Sequence, residues 1–223
     1  MSENMSKRKY DFIVFDWDGT LMDSTKTIIR CIQAAAQDLG LPIPSVKNAS
    51  YVIGLGMQDA MKAAMPDVEP HWYPKMIERY RQHYFNQDND LVLFEGVQEM
   101  LADLSHQGYF LAVATGKSRV GLNRALHASN LMTVFDATRC ADETFSKPNP
   151  AMLFELTREL GQDIRRTVMI WDTTHDLLMA GNAGADAIAV NYGAHDHKVL
   201  QQLNPVFVAD SVPALHRWLN ENA

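Results

Sequence analysis

Residues 11–24 read DFIVFDWDGTLMDS, an apolar β-branched run that ends in two carboxylates, Asp16 and Asp18, ahead of a Gly-Thr turn. Ile13, Val14 and Phe15 form an unbroken apolar run, the pattern of a strand buried on both faces of a parallel sheet. The chain therefore leaves the sheet at Asp16 and presents that side chain at the carboxyl end of the strand, where ligands gather in open α/β sheets. Two acids one residue apart repel each other unless a cation lies between them or one of them holds a proton. Their positions suit two roles. Asp16, at the strand end, is placed to attack as a nucleophile while a hard divalent cation neutralises the charge facing it. Asp18 is placed to carry a proton to and from the reacting oxygens. Gly19 permits a tight turn. Thr20 can give its hydroxyl to Asp18 or hold the turn, and Asp23 with Ser24 offers N-cap chemistry for a following helix.

Outward from this segment, apolar runs near 11–16, 110–115, 134–138, 167–172, 186–191 and 206–209 alternate with helical patterns, which predicts a Rossmann-like α/β fold around a parallel sheet. Val97, Met100, Leu101 and Leu104 recur at helical spacing, as do Val212, Leu215 and Leu219. Between about Ser24 and Leu93 no strand pattern occurs. Ile28, Ile32, Ala35 and Leu39, then Trp72, Met76, Tyr80 and Tyr84, instead mark long amphipathic helices. The expected organisation is a core of residues 1–23 and 94–223 interrupted by a helical insertion, 24–93. Hinges are expected near Met22–Ser24 and Phe94–Gly96. Met57, Met61 and Met65 suit helix packing, and the glycines of Ile53-Gly54-Leu55-Gly56-Met57 either let backbone approach a small ligand or turn the chain between helices.

At 223 residues, 47% hydrophobic and 21% charged, the chain has the composition of a folded globular protein. Its formal net charge of −7 disfavours nucleic acid and anionic membrane as partners. The short basic run Lys7-Arg8-Lys9 reads as a solvated tail. Cys31 and Cys140 fall in different segments, which argues against a disulfide framework and for a reducing compartment. With no signal-peptide pattern and no membrane-length apolar segment, the expected location is cytoplasmic.

Three further segments carry chemistry. Phe110-Leu-Ala-Val-Ala-Thr115 is a second buried strand ending in a hydroxyl, followed by Gly116, Lys117 and Ser118 at a helix start, where free N–H groups form a phosphate cradle. Lys147-Pro148 precedes another helical pattern, whose first turn Pro148 suits. Thr167-Val-Met-Ile-Trp-Asp172 is an apolar strand ending in an acid, with Asp176 four residues on.

In this order the four segments resemble the motifs of the haloacid dehalogenase superfamily, in its helical-capped, phosphoglycolate phosphatase-like branch. The resemblance implies a phosphatase for a small phosphorylated metabolite. It makes Asp16, Asp18 and Lys147 catalytic, with Lys147 bridging the nucleophile and the phosphoryl oxygens. Thr115, Gly116 and Lys147 would hold phosphate. Mg²⁺ would take Asp16, the backbone carbonyl of Asp18 and Asp172, with Asp176 in direct contact or one step behind. The insertion would be a mobile cap that excludes water. Trp171 departs from the family, which usually has Gly there; it could crowd the cleft, shift the strand end or pack against a neighbouring loop. His175 reads as a surface imidazole at a helix start. A dehalogenase would lack the second acid. A sugar phosphomutase of the same superfamily often has Val where Thr20 stands, and a catalytically weakened metabolite-binding protein is the reading that Trp171 favours.

Overall fold

The structure, a computed structural model, describes residues 8–87 and 91–223. Among them are six strands, β1 (Phe12–Phe15), β2 (Phe110–Thr115), β3 (Ala137–Cys140), β4 (Thr167–Trp171), β5 (Asp186–Val190) and β6 (Phe207–Ala209). They form one parallel sheet in the order β3-β2-β1-β4-β5-β6. β1 lies at the point where the strand order reverses, with Phe15 in register with Val113 of β2 on one side and Ile170 of β4 on the other. The carboxyl ends of β1, β2 and β4 therefore open into one crevice.

Side-chain alternation divides the core into two layers. Ile13, Phe15, Leu111, Val113, Val168 and Ile170 join α5 (Val97–His106), α6 (Arg119–Ala128) and α10 (Val212–Asn222) in one hydrophobic cluster. Phe12, Val14, Ala112, Ala114, Met169 and Trp171 join α7 (Ala151–Leu160) and α8 (Thr174–Ala183) in another. Trp171 is thus wholly buried in core packing on the face it shares with Met169, and it is not among the side chains lining the cavity beside Asp18. A short helix, α9 (His197–Gln201), links β5 to β6.

Between β1 and α5 the chain is helical, with α1 (Thr25–Asp38), α2 (Val46–Tyr51), α3 (Met57–Ala64) and α4 (Tyr73–Gln87). These helices have their own core, in which Ile28, Ile32, Met61, Met76, Tyr80 and Tyr84 are buried. The chain leaves and re-enters the sheet domain through adjacent segments. Asp23 N–H donates to Val92 C=O at 3.0 Å and Phe94 N–H donates to Leu21 C=O at 3.0 Å.

Four local expectations change. The third strand begins at Ala137, not at 134, because Phe135 packs edge-on against Phe15 and Trp17 and Asp136 turns its carboxylate onto the Leu111 N–H at 2.8 Å. Pro148 lies ahead of α7, which Pro150 opens, so it takes no part in a helical first turn. Ser24 sits at the N-cap of α1 without capping it; its hydroxyl is drawn to Asp18. Arg8 and Lys9 are anchored rather than free: Arg8 donates to Gln107 C=O and covers the Tyr109 ring, and Lys9, still exposed to solvent, pairs with Asp186 at 2.8 Å. Lys7 lies outside the described residues, as does the rest of segment 1–7 and the stretch 88–90 of the insertion.

Candidate active site

Asp16 leaves β1 with its N–H still bonded to Ile170 C=O at 2.9 Å, which fixes the side chain at the mouth of the crevice. Asp172 follows β4 and Asp176 stands on the first turn of α8. Each of the three acids is 0% exposed, and oxygens of all three lie within 4.8 Å of one another. Lys147 reaches them from the loop before α7, its ammonium 2.8 Å from Asp16 Oδ1 and 2.5 Å from Asp176 Oδ1. Among the described residues Asp172 has only neutral donors, the Thr20 hydroxyl at 3.1 Å on Oδ1 and the Ala194 N–H at 2.7 Å on Oδ2. Thr20 therefore serves Asp172, neither Asp18 nor the turn alone.

The charge balance is uneven. Three buried carboxylates face one buried ammonium, and an unpaired charge in the interior is expensive. Burial pushes the Asp16 carboxyl up to about 7, Lys147 opposing and Asp176 adding. Burial, followed by repulsion from Asp16, also holds Asp172 well above the usual carboxylate range. Burial alone would lower Lys147, yet attraction to Asp16 and Asp176 outweighs it and holds the ammonium above its ordinary value. Asp16 Oδ2 is buried and accepts no hydrogen bond from the described residues. An all-oxygen donor set with excess negative charge and an orphaned oxygen is the chemistry of a site for a hard divalent cation, and the residues fit Mg²⁺.

Space around the acids is closely controlled. Gly19 adopts φ +82°, and a Cβ there would come within 2.0 Å of Asp172 Oδ2. Gly116, after β2, brings its backbone against Gly54 of the helical insertion, where a Cβ would stand 2.4 Å from the Gly54 carbonyl oxygen. Thr115 is buried at the end of β2, and its hydroxyl accepts from Lys117 N–H at 3.2 Å. Asp18 stands apart from the acid cluster. Its Oδ1 accepts from the Ser24 hydroxyl at 2.6 Å and faces the Lys117 ammonium at 3.1 Å. It lines a cavity of about 70 Å³ together with Gly116, Lys117 and apolar side chains of the insertion, among them Ile32, Leu55 and Tyr84.

Comparison with known proteins agrees with this geometry. The family model for haloacid dehalogenase-like hydrolases matches residues 13–190. The chain belongs to the haloacid dehalogenase-like hydrolases. A probable phosphatase, IndB, of Dickeya dadantii is 37% identical over 206 residues, covering 89% of each chain. A phosphoglycolate phosphatase of Aliivibrio fischeri is 30% identical over 208 residues, covering 89% of this chain and 91% of its own. The crystal structure of a predicted phosphoglycolate phosphatase from Haemophilus somnus superposes with a TM-score of 0.80 at 25% identity, covering 92% of this chain and 96% of that one. Among haloacid dehalogenase-like hydrolases, the chain is an enzyme of the phosphoric monoester hydrolase group. No helix among the described residues is long and apolar enough to cross a membrane.

Two histidines of this hydrolase go beyond the sequence reading. His175 is no surface imidazole: it is 6% exposed, and its Nε2 lies 2.8 Å from the carbonyl oxygen of Tyr51 in the insertion. His195 approaches the same oxygen through Nε2 at 3.1 Å, while its Nδ1 accepts Thr174 N–H at 3.0 Å. That acceptor role puts the proton of a neutral His195 on Nε2, the correct tautomer to donate to Tyr51. Next to it, Ala194 C=O accepts from the Ser50 hydroxyl at 2.6 Å. The segment that steadies Asp172 thus also holds the insertion. No spacing rule could have found it, because Tyr51 and His195 meet only through the fold.

Proposed function

We propose that this protein is a magnesium-dependent phosphatase that hydrolyses a small phosphorylated, phosphoglycolate-like metabolite through an aspartyl-phosphate intermediate. The observation that carries the reading is the buried group of Asp16, Asp172 and Asp176 around Lys147, with Asp18 two residues after Asp16. In the first half-reaction an Asp16 oxygen attacks phosphorus, the ester P–O bond breaks, and the departing oxygen takes its proton from Asp18. In the second, Asp18 takes a proton from a water molecule that attacks the phosphoryl group, releasing inorganic phosphate and restoring Asp16. Lys147 offsets charge on the phosphoryl oxygens, and the Thr115–Gly116 turn cradles them. Mg²⁺, held by Asp16, Asp172 and the Asp18 carbonyl with Asp176 behind them, would neutralise the nucleophile and the bound phosphate.

This division of labour suits the size of the barrier. Enzymes accelerate phosphate-monoester hydrolysis by up to ~10²¹, while one acid/base group supplies about 10²–10⁴. The remainder has to come from charge neutralisation and positioning. The insertion, residues 24–93, serves as a cap over a core of 1–23 and 94–223, moving about the paired connections at Met22–Ser24 and Phe94–Gly96. Its apolar inner face, which lines the cavity beside Asp18, supports that role. The Thr20 hydroxyl on Asp172 supports hydrolysis over the phosphomutase alternative, and the core packing of Trp171 supports catalysis over a catalytically weakened binder.

The decisive experiment is a phosphate-release screen across phosphorylated metabolites, with and without Mg²⁺, beside Asp16→Asn. The wild type should release inorganic phosphate only with Mg²⁺, and Asp16→Asn should fold yet lose at least ~10³-fold in rate. Retained turnover in the variant removes Asp16 as nucleophile. An isomer in place of inorganic phosphate turns the reading to a mutase.

A further inference from the structure

Lys117 takes no part in the acid cluster, yet its side chain is only 8% exposed. A buried ammonium stays in a fold only where other groups meet its charge. Here one partner comes from each side of the crevice. From the core, Asp18 Oδ1 lies 3.1 Å from the ammonium. From α4 of the insertion, the Tyr84 hydroxyl accepts from it at 2.8 Å, and the ring presents its face with the centroid 4.5 Å away. Tyr80 stacks on Tyr84 at 5.7 Å and holds that ring in place. On Asp18 the two described partners, Lys117 and the Ser24 hydroxyl, both engage Oδ1. Oδ2 is the oxygen left to exchange a proton with the reacting oxygens.

We infer that Lys117 is the positioning residue for Asp18, fixing which carboxyl oxygen faces the leaving group and tying that orientation to closure of the insertion through Tyr84. The inference rests on the phosphatase reading above. Lys117 belongs to the core and Ser24 is the first residue of the insertion, so Asp18 Oδ1 is met from both sides of the connection between them. With the insertion closed, Tyr84 holds the ammonium in a second place and the carboxyl is kept from turning. The acid/base group is then aligned only when the crevice is covered, so that proton transfer and exclusion of water coincide.

The test compares an alkyl ester, phosphoglycolate, with an aryl ester, 4-nitrophenyl phosphate. When the aryl P–O bond breaks, the electron pair leaves on a nitrophenolate that needs no proton, so the pre-steady-state burst of nitrophenolate reports attack by Asp16 without the help of Asp18. Lys117→Met should lower kcat on phosphoglycolate by ~10²-fold with KM changed by less than about 3-fold, while the nitrophenolate burst stays within about 3-fold of wild type. Lys117→Arg should recover part of the lost kcat, and Tyr84→Phe should reproduce the Lys117→Met pattern at smaller size. Equal losses on both esters, or a rise in KM with kcat unchanged, would overturn the assignment, the second by making Lys117 a cation for substrate. A silent Tyr84→Phe would overturn the link to closure. Wild-type protein that releases phosphate from neither ester refutes the phosphatase reading itself, and the inference with it, whereas wild-type turnover with equal variant losses refutes Lys117 alone.

Discussion

The floor and the roof of the crevice are built from opposite materials. The floor, at the carboxyl ends of β1 and β4, packs three buried carboxylates and a lysine into one space. The roof, formed by α1 to α4, offers mainly apolar side chains around a cavity of about 70 Å³. Charge on the floor favours a cation and a phosphoryl group whatever the rest of the substrate is. In the proposed function the apolar side chains above would discriminate by shape and size, where one methylene is worth roughly 1–3 kcal/mol. Chemistry then rests mainly with the floor and selection with the roof, and the Lys117–Tyr84 contact ties the two. Contacts that join them include Lys117 to Tyr84, the Tyr51 carbonyl to His175 and His195, the Ser50 hydroxyl to the Ala194 carbonyl and the Gly56 N–H to the Ser146 hydroxyl.

The sharpest way to break this division is Asp172→Asn. It should abolish Mg²⁺-dependent phosphate release and also the thermal stabilisation by Mg²⁺, which for wild type at one hundred times Kd is about 2.7 kcal/mol. The ranking of substrates by any residual rate should not change. A variant that keeps the thermal shift would remove Asp172 from the cation site.

A smaller effect is expected from Trp171→Gly, because the indole is packed within the core and away from the crevice. The loss should be about 3–5 kcal/mol of folding stability, read by urea denaturation, with specific activity of the folded protein intact. Increased activity at unchanged stability would restore the indole as an obstruction.

The smallest effect concerns the join between floor and roof. Burial holds both His175 and His195 below the ordinary imidazole value. The unfolded chain therefore binds protons more readily than the folded one. Stability from the pair is fully present above about pH 6.5 and falls away as the pH drops through the lowered values. Amide protection factors around Tyr51 should fall on acidification below that point, ahead of those in β1. An equal fall in both regions would mean that the histidines do not hold the insertion separately.

The parallel sheet, the helical insertion and the acids at 16, 18, 172 and 176 were legible because each rests on a local pattern: apolar runs ending in Asp, or helical spacing without strands. What was hidden is every contact that joins distant segments. Thr20 was expected to serve the turn or Asp18, but the β1–β4 pairing brings Asp172 closer. Ser24 was expected to cap α1, but Asp18, a charged acceptor, draws its hydroxyl away. His175 looked like a surface residue because helix position alone says nothing about a carbonyl arriving from the insertion. Trp171 looked like a threat to the crevice because the motif position says nothing about which face of β4 receives the ring.

Sequence by itself determined where strands end and which acids stand at those ends, since period and residue type are local and an acid just past the carboxyl end of a buried strand is carried to the crevice. Tertiary structure decided which partner each polar group takes. Buried donors and acceptors have to find mates wherever the packing brings them, and those mates, Lys117 with Tyr84, Thr20 with Asp172, His195 with Tyr51, are separated by 33 to 152 residues of chain.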